Sequence, residues 1–144
     1  MKRFFLVVAF LLLATIGFAE KPTYEYNAYV DRVLDGDTVD VTIFLGFDLY
    51  IKQRIRVLGV DAFEKNTVKG KICRDKLKLM LEGKTVKVSS DKPGKGDKFG
   101  RFLARVYLPD DTLLSDWVID NGYGYAYFGK KKKDVRKEAN RIEK

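Results

Sequence analysis

Hydrophobic and polar residues alternate along the first part of the chain, which is the pattern of half-buried strands. The alternation is clear over residues 24–30 and 38–43, and a third run covers residues 50–58. Between the last two runs, residues 44–48 surround Gly46 and predict a turn. Together the three runs predict a β-meander.

After residue 60 the pattern predicts three helices and two more strands. The helices fall at residues 68–81, 113–118 and 130–144, and the strands at residues 85–89 and 101–108. Gly83 and Gly122 follow the first two helices, where glycine commonly ends a helix. The glycine- and lysine-rich residues 91–100 predict a basic loop. Five strands with about three helices predict a mainly β, α+β fold, a five-stranded OB-type barrel.

The N-terminal segment has the composition of a secretory signal peptide. Two basic residues precede an apolar run over residues 4–18, and Gly17 and Ala19 supply the small residues of a cleavage site. We therefore predict a signal peptide at residues 1–19 and one secreted or periplasmic domain at residues 20–144. The alternative is an uncleaved signal that anchors the protein in a membrane.

The composition is globular and basic. Apolar residues at 46% and charged residues at 33% exclude a disordered chain. The formal net charge is +8, and it becomes +6 without residues 1–19, which hold two basic and no acidic residues. Such a charge favours a polyanionic partner, with solubility alone as the plainer interpretation.

Histidine is absent and cysteine occurs once, which limits the available chemistry. Without histidine the chain lacks the commonest general base and nitrogen ligand, so carboxylates and hard, oxygen-bound cations are left. Cys73 has no partner for an intramolecular disulfide. Its place among apolar residues of a predicted helix favours burial in the core over a reactive thiol.

Three charged blocks lie next to the strand-like runs, at residues 35–38, 56–64 and 97–101. Asp37 stands at the start of one predicted strand and Asp61 just beyond the end of another. Their carboxylates would meet across adjacent strands and hold a hard cation. Spacing alone leaves calcium, magnesium and manganese open, and aspartate-glycine pairs also occur in ordinary turns.

Glu64, Arg56 and Arg101 each have a plain and a chemical interpretation. Glu64 is either a solvated loop acid or the group that orients or deprotonates an attacking water. The two arginines are either exposed strand residues or, if directed at one point, a pair that grips phosphoryl oxygens. A phosphodiester under attack gains negative charge, which arginine and a divalent metal stabilise.

In order and spacing, the three blocks resemble those of the staphylococcal nuclease (thermonuclease) family. The family pattern runs aspartate-glycine-aspartate-threonine, then arginine ahead of an aspartate-threonine-proline-glutamate box, then lysine-tyrosine-glycine-arginine. The corresponding segments here are Asp35-Gly36-Asp37-Thr38, Arg56 with Asp61-Ala62-Phe63-Glu64, and Lys98-Phe99-Gly100-Arg101. The resemblance covers about residues 24–142.

This resemblance implies a calcium-dependent nuclease. Asp37 and Asp61 would be calcium ligands together with the backbone carbonyl of Ala62. Glu64 would position or deprotonate the attacking water. These assignments agree with the oxygen-only chemistry that the absence of histidine leaves.

The resemblance also implies how the substrate is handled. Arg56 and Arg101 would stabilise the pentacoordinate phosphate, and Lys98 would contact a neighbouring phosphate. The enzyme would break the P–O5′ bond of DNA and RNA with low sequence specificity and leave 3′-phosphate ends. Its partners would be single-stranded DNA and RNA, and double-stranded DNA where it opens locally. No protein partner is implied, and a monomer is expected.

Three residues depart from the family pattern. Ala62 contributes only its carbonyl, and Phe63 loses the rigidity of proline. Phe99 loses a hydroxyl that would bond a terminal phosphate, but we assign it to substrate binding. Tyr125 and Tyr127 would bind substrate by stacking on a base, or else they pack in the core.

Two other functions stay open from the sequence. One is a nucleic-acid-binding module that keeps the barrel and has lost the chemistry, which the changes at Ala62 and Phe63 allow. The other is a binding protein for anionic lipid or glycan, which explains the charge but not the acidic residues. The lysines at residues 130–133 fit a nucleic-acid track and the solvated start of a helix equally well.

Overall fold

Residues 24–90, 97 and 99–129 are described by the computed structural model of the protein. Their strands are β1 (Tyr24–Asp35), β2 (Thr38–Gly46), β3 (Leu49–Val57), β4 (Gly59–Ala62), β5 (Thr85–Ser90), β6 (Phe102–Tyr107) and β7 (Gly124–Tyr127). The helices are α1 (Val68–Leu81) and α2 (Leu114–Asp120). None of the helices in these ranges is long and apolar enough to cross a membrane. The predicted signal peptide, the predicted helix at residues 130–144 and most of the basic loop lie outside the described residues.

Five strands close into a barrel in the order β1-β2-β3-β6-β5, and β5 returns to pair with β1. Neighbouring strands are antiparallel except β3 and β6, which run parallel. These are the five strands that the hydrophobic pattern predicts, so the mainly β, α+β class and the OB-type barrel are confirmed. Two of the predicted helices are present in the described part of the chain.

The barrel core is built by inward-facing strand residues and closed by α1. Ala28 of β1 and Val41 of β2 are fully buried, as the alternation predicts. Cys73, Leu77 and Leu81 follow one another at four-residue intervals on α1 and are also fully buried. Desolvation raises the pKa of the Cys73 thiol to about 12. The interpretation of this cysteine as a core residue is confirmed.

The hairpin between β2 and β3 differs from the predicted turn. β2 continues through Phe44, and the turn consists of Phe47 and Asp48, both with positive φ. Phe44 stays in the strand because its ring packs edge-to-face against Tyr50 on β3, with centroids 5.4 Å apart. The prediction that residues 44–48 all belong to the turn was wrong.

A second, smaller sheet was not predicted from the sequence. It pairs β4 with β7 in antiparallel register, with Asp61 opposite Tyr125. Each of these strands has four residues, which are too few to show an alternating pattern. Asp61 follows the end of β3, as predicted, but it lies within the further strand β4, which the sequence did not reveal.

Candidate active site

One cleft collects most of the residues with predicted chemical roles. It has a volume of about 830 Å³ and opens where the β1–β2 turn, β4 and the segment before β6 meet. Eight of the ten predicted site residues line it: Asp37, Arg56, Asp61, Ala62, Glu64, Phe99, Arg101 and Tyr127. Tyr125 is not among the lining residues, and Lys98 lies outside the described residues.

The turn between β1 and β2 places Asp37 against β4. The Asp37 N–H donates to Asp35 Oδ1 at 3.1 Å, and the Thr38 hydroxyl donates to Asp37 Oδ1 at 3.1 Å. A Cβ on Gly36 would lie 2.6 Å from the Cβ of Ala62, so only glycine lets the turn approach β4 this closely. The aspartate-glycine-aspartate spacing thus directs the second carboxylate at β4.

Asp37 and Ala62 are in direct contact. The Ala62 N–H donates to Asp37 Oδ2 at 2.8 Å, although Ala62 stands opposite Gly124 in the β4–β7 register. In an extended strand the N–H and C=O of one residue lie on the same edge. The Ala62 carbonyl therefore lies on the edge that faces Asp37. A cation bound by both this carbonyl and the Asp37 carboxylate would need that placement.

Arg56 lies between the two predicted acidic metal ligands. Its Nη1 is 3.1 Å from Asp37 Oδ2, and its Nη2 is 3.5 Å from Asp61 Oδ1. The same Nη1 donates to the carbonyls of Val57 at 3.1 Å and Val60 at 2.8 Å. Because all three charged side chains are buried, this guanidinium is the counter-charge of a buried carboxylate pair.

Burial changes the protonation of Asp37. Desolvation raises the pKa of this carboxyl to about 6, Arg56 opposes the increase, and the nearby charge of Asp35 adds to it. A carboxyl with a raised pKa in a cleft is common at functional sites, because such groups exchange protons or cations near neutral pH.

The donor set suits a hard cation. Two carboxylates, a backbone carbonyl and solvent supply oxygen ligands only, and calcium accepts these in irregular geometry. No group of three or more acidic or cysteine side chains converges among the residues that the structure describes. A calcium ion held by Asp37 and Asp61 would therefore also need the Ala62 carbonyl and water. The residues fit calcium on that condition.

Arg101 is held in place by an aspartate that the sequence did not identify as a positioning residue. Asp97 Oδ2 lies 2.8 Å from Arg101 Nε and 2.6 Å from Nη2, while Asp97 Oδ1 accepts the N–H groups of Phe99 and Arg101. These hydrogen bonds outweigh desolvation and hold the pKa of Asp97 below its ordinary value. Arg101 Nη1 then reaches the Thr38 hydroxyl at 3.4 Å, beside Asp37. The four-residue spacing of Asp97 and Arg101 permits this pairing, but the pairing depends on the turn that the Gly100 N–H closes on the Asp97 carbonyl at 3.0 Å.

Glu64 lies exposed on the rim of the cleft, on a short connection to α1. Its carbonyl accepts the N–H of Thr67 at 2.9 Å and the Thr67 hydroxyl at 2.7 Å. Thr67 is also the N-cap of α1 and accepts the Gly70 N–H at 3.0 Å. A Cβ on Gly70 would lie 2.0 Å from the Glu64 carbonyl oxygen. The start of α1 therefore fixes the backbone that carries Glu64.

The predicted aromatic residues have different places. Tyr127 lines the cleft, whereas Tyr125 packs edge-to-face against Phe63, with ring centroids 5.2 Å apart. Phe99 is 70% exposed, and the Arg101 guanidinium lies 5.3 Å from the centre of its ring. Leu103 and Phe128, which the sequence did not predict, complete an apolar side of the cleft. Their contribution depends on tertiary packing, for which the sequence carried no signal.

The chain is similar to known proteins over much of its length. A model of the family described as "Staphylococcal nuclease homologue" matches residues 54–144, a range that includes Arg56 and Arg101 but begins after Asp37. An "Uncharacterized endonuclease" of Escherichia coli O157:H7 is 36% identical over 103 residues, which are 72% of this chain and 62% of that protein. "Endonuclease YhcR" of Bacillus subtilis (strain 168) is 34% identical over 118 residues, 72% of this chain and 9% of that protein. The chain thus spans 62% of the length of the E. coli relative.

Proposed function

The chain belongs to the staphylococcal nuclease homologue family, and from that premise we propose that it is a calcium-dependent nuclease. It would hydrolyse phosphodiester bonds in DNA and RNA with low sequence specificity. The observation that carries the proposal is the buried Asp37–Arg56–Asp61 group in the same cleft as Arg101 and Glu64. Two relatives whose names include endonuclease support the reaction class.

Asp37, Asp61 and the carbonyl of Ala62 would hold the calcium ion. When bound, calcium would polarise a phosphoryl oxygen and offset the charge that develops on the phosphate. The protein supplies a reason for a cation at this place. Asp37 Oδ2 and Asp61 Oδ1 lie 3.1 and 3.5 Å from the same Arg56 guanidinium, so two carboxylates converge beside the place where the cation would bind.

The remaining residues have distinct roles in the proposed reaction. Arg101, fixed by Asp97, would bind phosphoryl oxygens next to the departing 5′-oxygen, and Arg56 would add positive charge from the floor of the cleft. Glu64 is exposed to solvent on the rim, where it would accept a proton from the attacking water. Breaking the P–O5′ bond would leave a 3′-phosphate on one product and a 5′-hydroxyl on the other.

The substrate and the location are part of the same proposal. Single-stranded DNA and RNA, and double-stranded DNA where it opens locally, suit an open cleft with exposed Phe99 and a chain that stays basic, at +6, without residues 1–19. The basic and apolar start of the sequence supports export by a signal peptide at residues 1–19, or anchoring by that segment if it is not cleaved. We propose that the enzyme acts as a monomer.

Analysis of reaction products tests the proposed chemistry. The purified protein is incubated with end-labelled single-stranded DNA and with RNA in calcium, and the new ends are identified with a phosphatase and a polynucleotide kinase. We expect fragments from many sequence positions, with 3′-phosphate and 5′-hydroxyl ends. Fragments with 5′-phosphate ends would contradict the proposed bond cleavage. Salt-sensitive binding without fragments would favour the non-catalytic binding module instead.

A further inference from the structure

A shallow groove crosses the outer face of β1, β2 and β3 beside the cleft. It has a volume of about 470 Å³, and its lining includes Arg32, Asp40, Lys52, Arg54 and Phe99. Phe99 also lines the cleft of the candidate active site. The two depressions are therefore adjacent, with one exposed aromatic side chain bordering both.

The outer face of β3 carries a row of cationic residues. Arg56, Arg54 and Lys52 stand at every second position, so their side chains leave the same face of the strand. Their spacing along the strand is about 6.8 Å per step, which is close to the distance between successive phosphates of an extended single strand. Arg56 is buried at the cleft end of the row, and Arg54 and Lys52 are exposed beyond it.

Asp40 on β2 fixes the arginines of this face. Its carboxylate accepts Arg54 Nε at 2.6 Å and Arg54 Nη2 at 3.0 Å, and it accepts Arg32 Nη2 at 3.2 Å. One carboxylate thus orients two guanidinium groups. Asp31 also lines the groove, so its three cationic and two anionic side chains leave a net charge of +1. Ordered arginines lose less side-chain freedom when they bind an anion than disordered ones do.

An aromatic pair stands at the far end of the row. Tyr50 follows Lys52 on the same face of β3, is 61% exposed, and packs edge-to-face against Phe44 on β2. Aromatic side chains beside a basic groove are the usual means of holding single-stranded nucleic acid, because every base has a face that can stack.

We propose that a single-stranded nucleic acid extends from the cleft along this outer face, with phosphates at Arg54 and Lys52 and a base against Tyr50. We call this surface, formed by Arg32, Lys52, Arg54 and Tyr50, the outer-face track. The proposal rests on the proposed function for the class of ligand and adds where the strand runs outside the cleft. It predicts that affinity grows with oligonucleotide length beyond what the cleft itself holds.

Binding without catalysis tests the track. Fluorescence anisotropy measures the binding of labelled oligothymidylates of four and twelve nucleotides in a chelator, over a series of salt concentrations. For the double variant Lys52→Ala/Arg54→Ala we expect about tenfold weaker binding of the longer strand and a salt slope smaller by about 1.4. The affinity for the shorter strand should change much less. The control is Lys78→Ala/Lys84→Ala, which removes the same charge from residues that line neither depression.

Equal losses for the two double variants would overturn the proposal, because the effect would then be one of total charge. If the Arg54 substitution prevents folding, Lys52→Glu replaces it, since Lys52 is exposed and the Asp40 ion pairs are kept. Lys52→Glu must weaken binding of the longer strand more than Lys84→Glu does, and equal binding would again overturn the track.

A protein that binds in this length-dependent way but cleaves nothing keeps the track and loses the nuclease function. If the wild type cleaves and the variants bind the longer strand as well as it does, the nuclease function stands and the outer-face track is overturned.

Discussion

The guanidinium of Arg56 lies 3.1 Å from the carboxylate of Asp37, and the two side chains are 9% and 10% exposed. Arg56 also reaches Asp61 at 3.5 Å. A buried ion pair contributes little when intact but leaves an uncompensated charge when one partner is removed. The pairing therefore gives Arg56 a structural role in the metal-free protein in addition to its proposed role at the phosphate.

Arg56→Ala should lower the free energy of unfolding of the metal-free protein by about 3 kcal/mol, because two buried carboxylates lose their counter-charge. Urea unfolding in a chelator measures this. Arg54→Ala is the control, since Arg54 pairs with Asp40 at the surface and its loss should cost less than about 1 kcal/mol. Equal stability losses for the two variants would show that the Asp37–Arg56–Asp61 group is not a buried, coupled unit.

Calcium affinity should decrease as the pH falls below about 6, because desolvation raises the pKa of Asp37 to about 6 and its proton must leave before calcium binds. Titration calorimetry at several pH values measures both the affinity and the proton released. An affinity that stays constant through pH 6 would mean that Asp37 does not take part in binding.

The same pKa shift predicts how Asp37 affects the metal-free fold. The folded-state pKa of about 6 lies above the ordinary aspartate pKa of 3.8, so the folded state binds the proton more tightly. The stability that this group contributes is present below about pH 4 and is lost as the pH rises to about 6. Asp37→Asn removes this loss, so in a chelator its melting temperature should exceed that of the wild type at neutral pH and approach it at pH 4. A variant that melts at or below the wild-type temperature at neutral pH would contradict the direction of the shift.

Gly70→Ala should displace the backbone of Glu64, because the added Cβ would lie 2.0 Å from its carbonyl oxygen. We expect turnover to fall toward that of Glu64→Ala, while binding of a single-stranded oligonucleotide changes much less. Lys71→Ala, an exposed position one residue further along α1, controls for helix propensity. Wild-type turnover in Gly70→Ala would mean either that the loop adapts without cost or that Glu64 has no role.

Asp97→Asn should lower kcat by about tenfold, because Arg101 loses its charged partner at 2.8 Å while the backbone N–H groups keep an acceptor. KM should change less, since Asp97 acts through Arg101. Steady-state kinetics on one defined oligonucleotide separates the two parameters. The matched control is Asp110→Asn. Asp110 resembles Asp97 because it accepts the backbone N–H of the residue two positions ahead, Thr112, at 3.0 Å. It differs because it lies in an exposed turn outside the cleft. Equal kcat values for the two variants would remove Asp97 as a positioning residue.

The parts of the fold with a local signal were predictable. β1 and β2 alternate over enough residues to show their period, and α1 presents Cys73, Leu77 and Leu81 at helical spacing. The β4–β7 pair has no such signal, because each strand is short and its partner is distant in the sequence. That pairing determines where Asp61 and Ala62 lie, so the geometry of the site depends on an element that the sequence did not reveal.

The sequence predicted which residues belong to the site better than it predicted which of them are in contact. The spacing of the three charged blocks brought Asp37, Asp61 and Arg101 into the list, and the barrel places all three in one cleft. For Tyr125 the sequence left substrate stacking and core packing open, and its ring packs against Phe63. The direction of a side chain in a short strand depends on how that strand pairs. The role of Asp97 depends on a turn that brings it back to Arg101, which residue identity alone does not specify.

The calcium dependence of the nuclease is tested by the cleavage rate of a labelled single-stranded oligonucleotide as free calcium is raised from a chelated solution and then chelated again. We expect no cleavage in the chelator, a rate that saturates with calcium, and a return to zero when calcium is removed. Asp37→Asn should not respond to calcium at the concentrations that saturate the wild type. Cleavage that continues in the chelator, or no cleavage at any calcium concentration, would contradict the claim that Asp37, Asp61 and Ala62 form the calcium site of a nuclease.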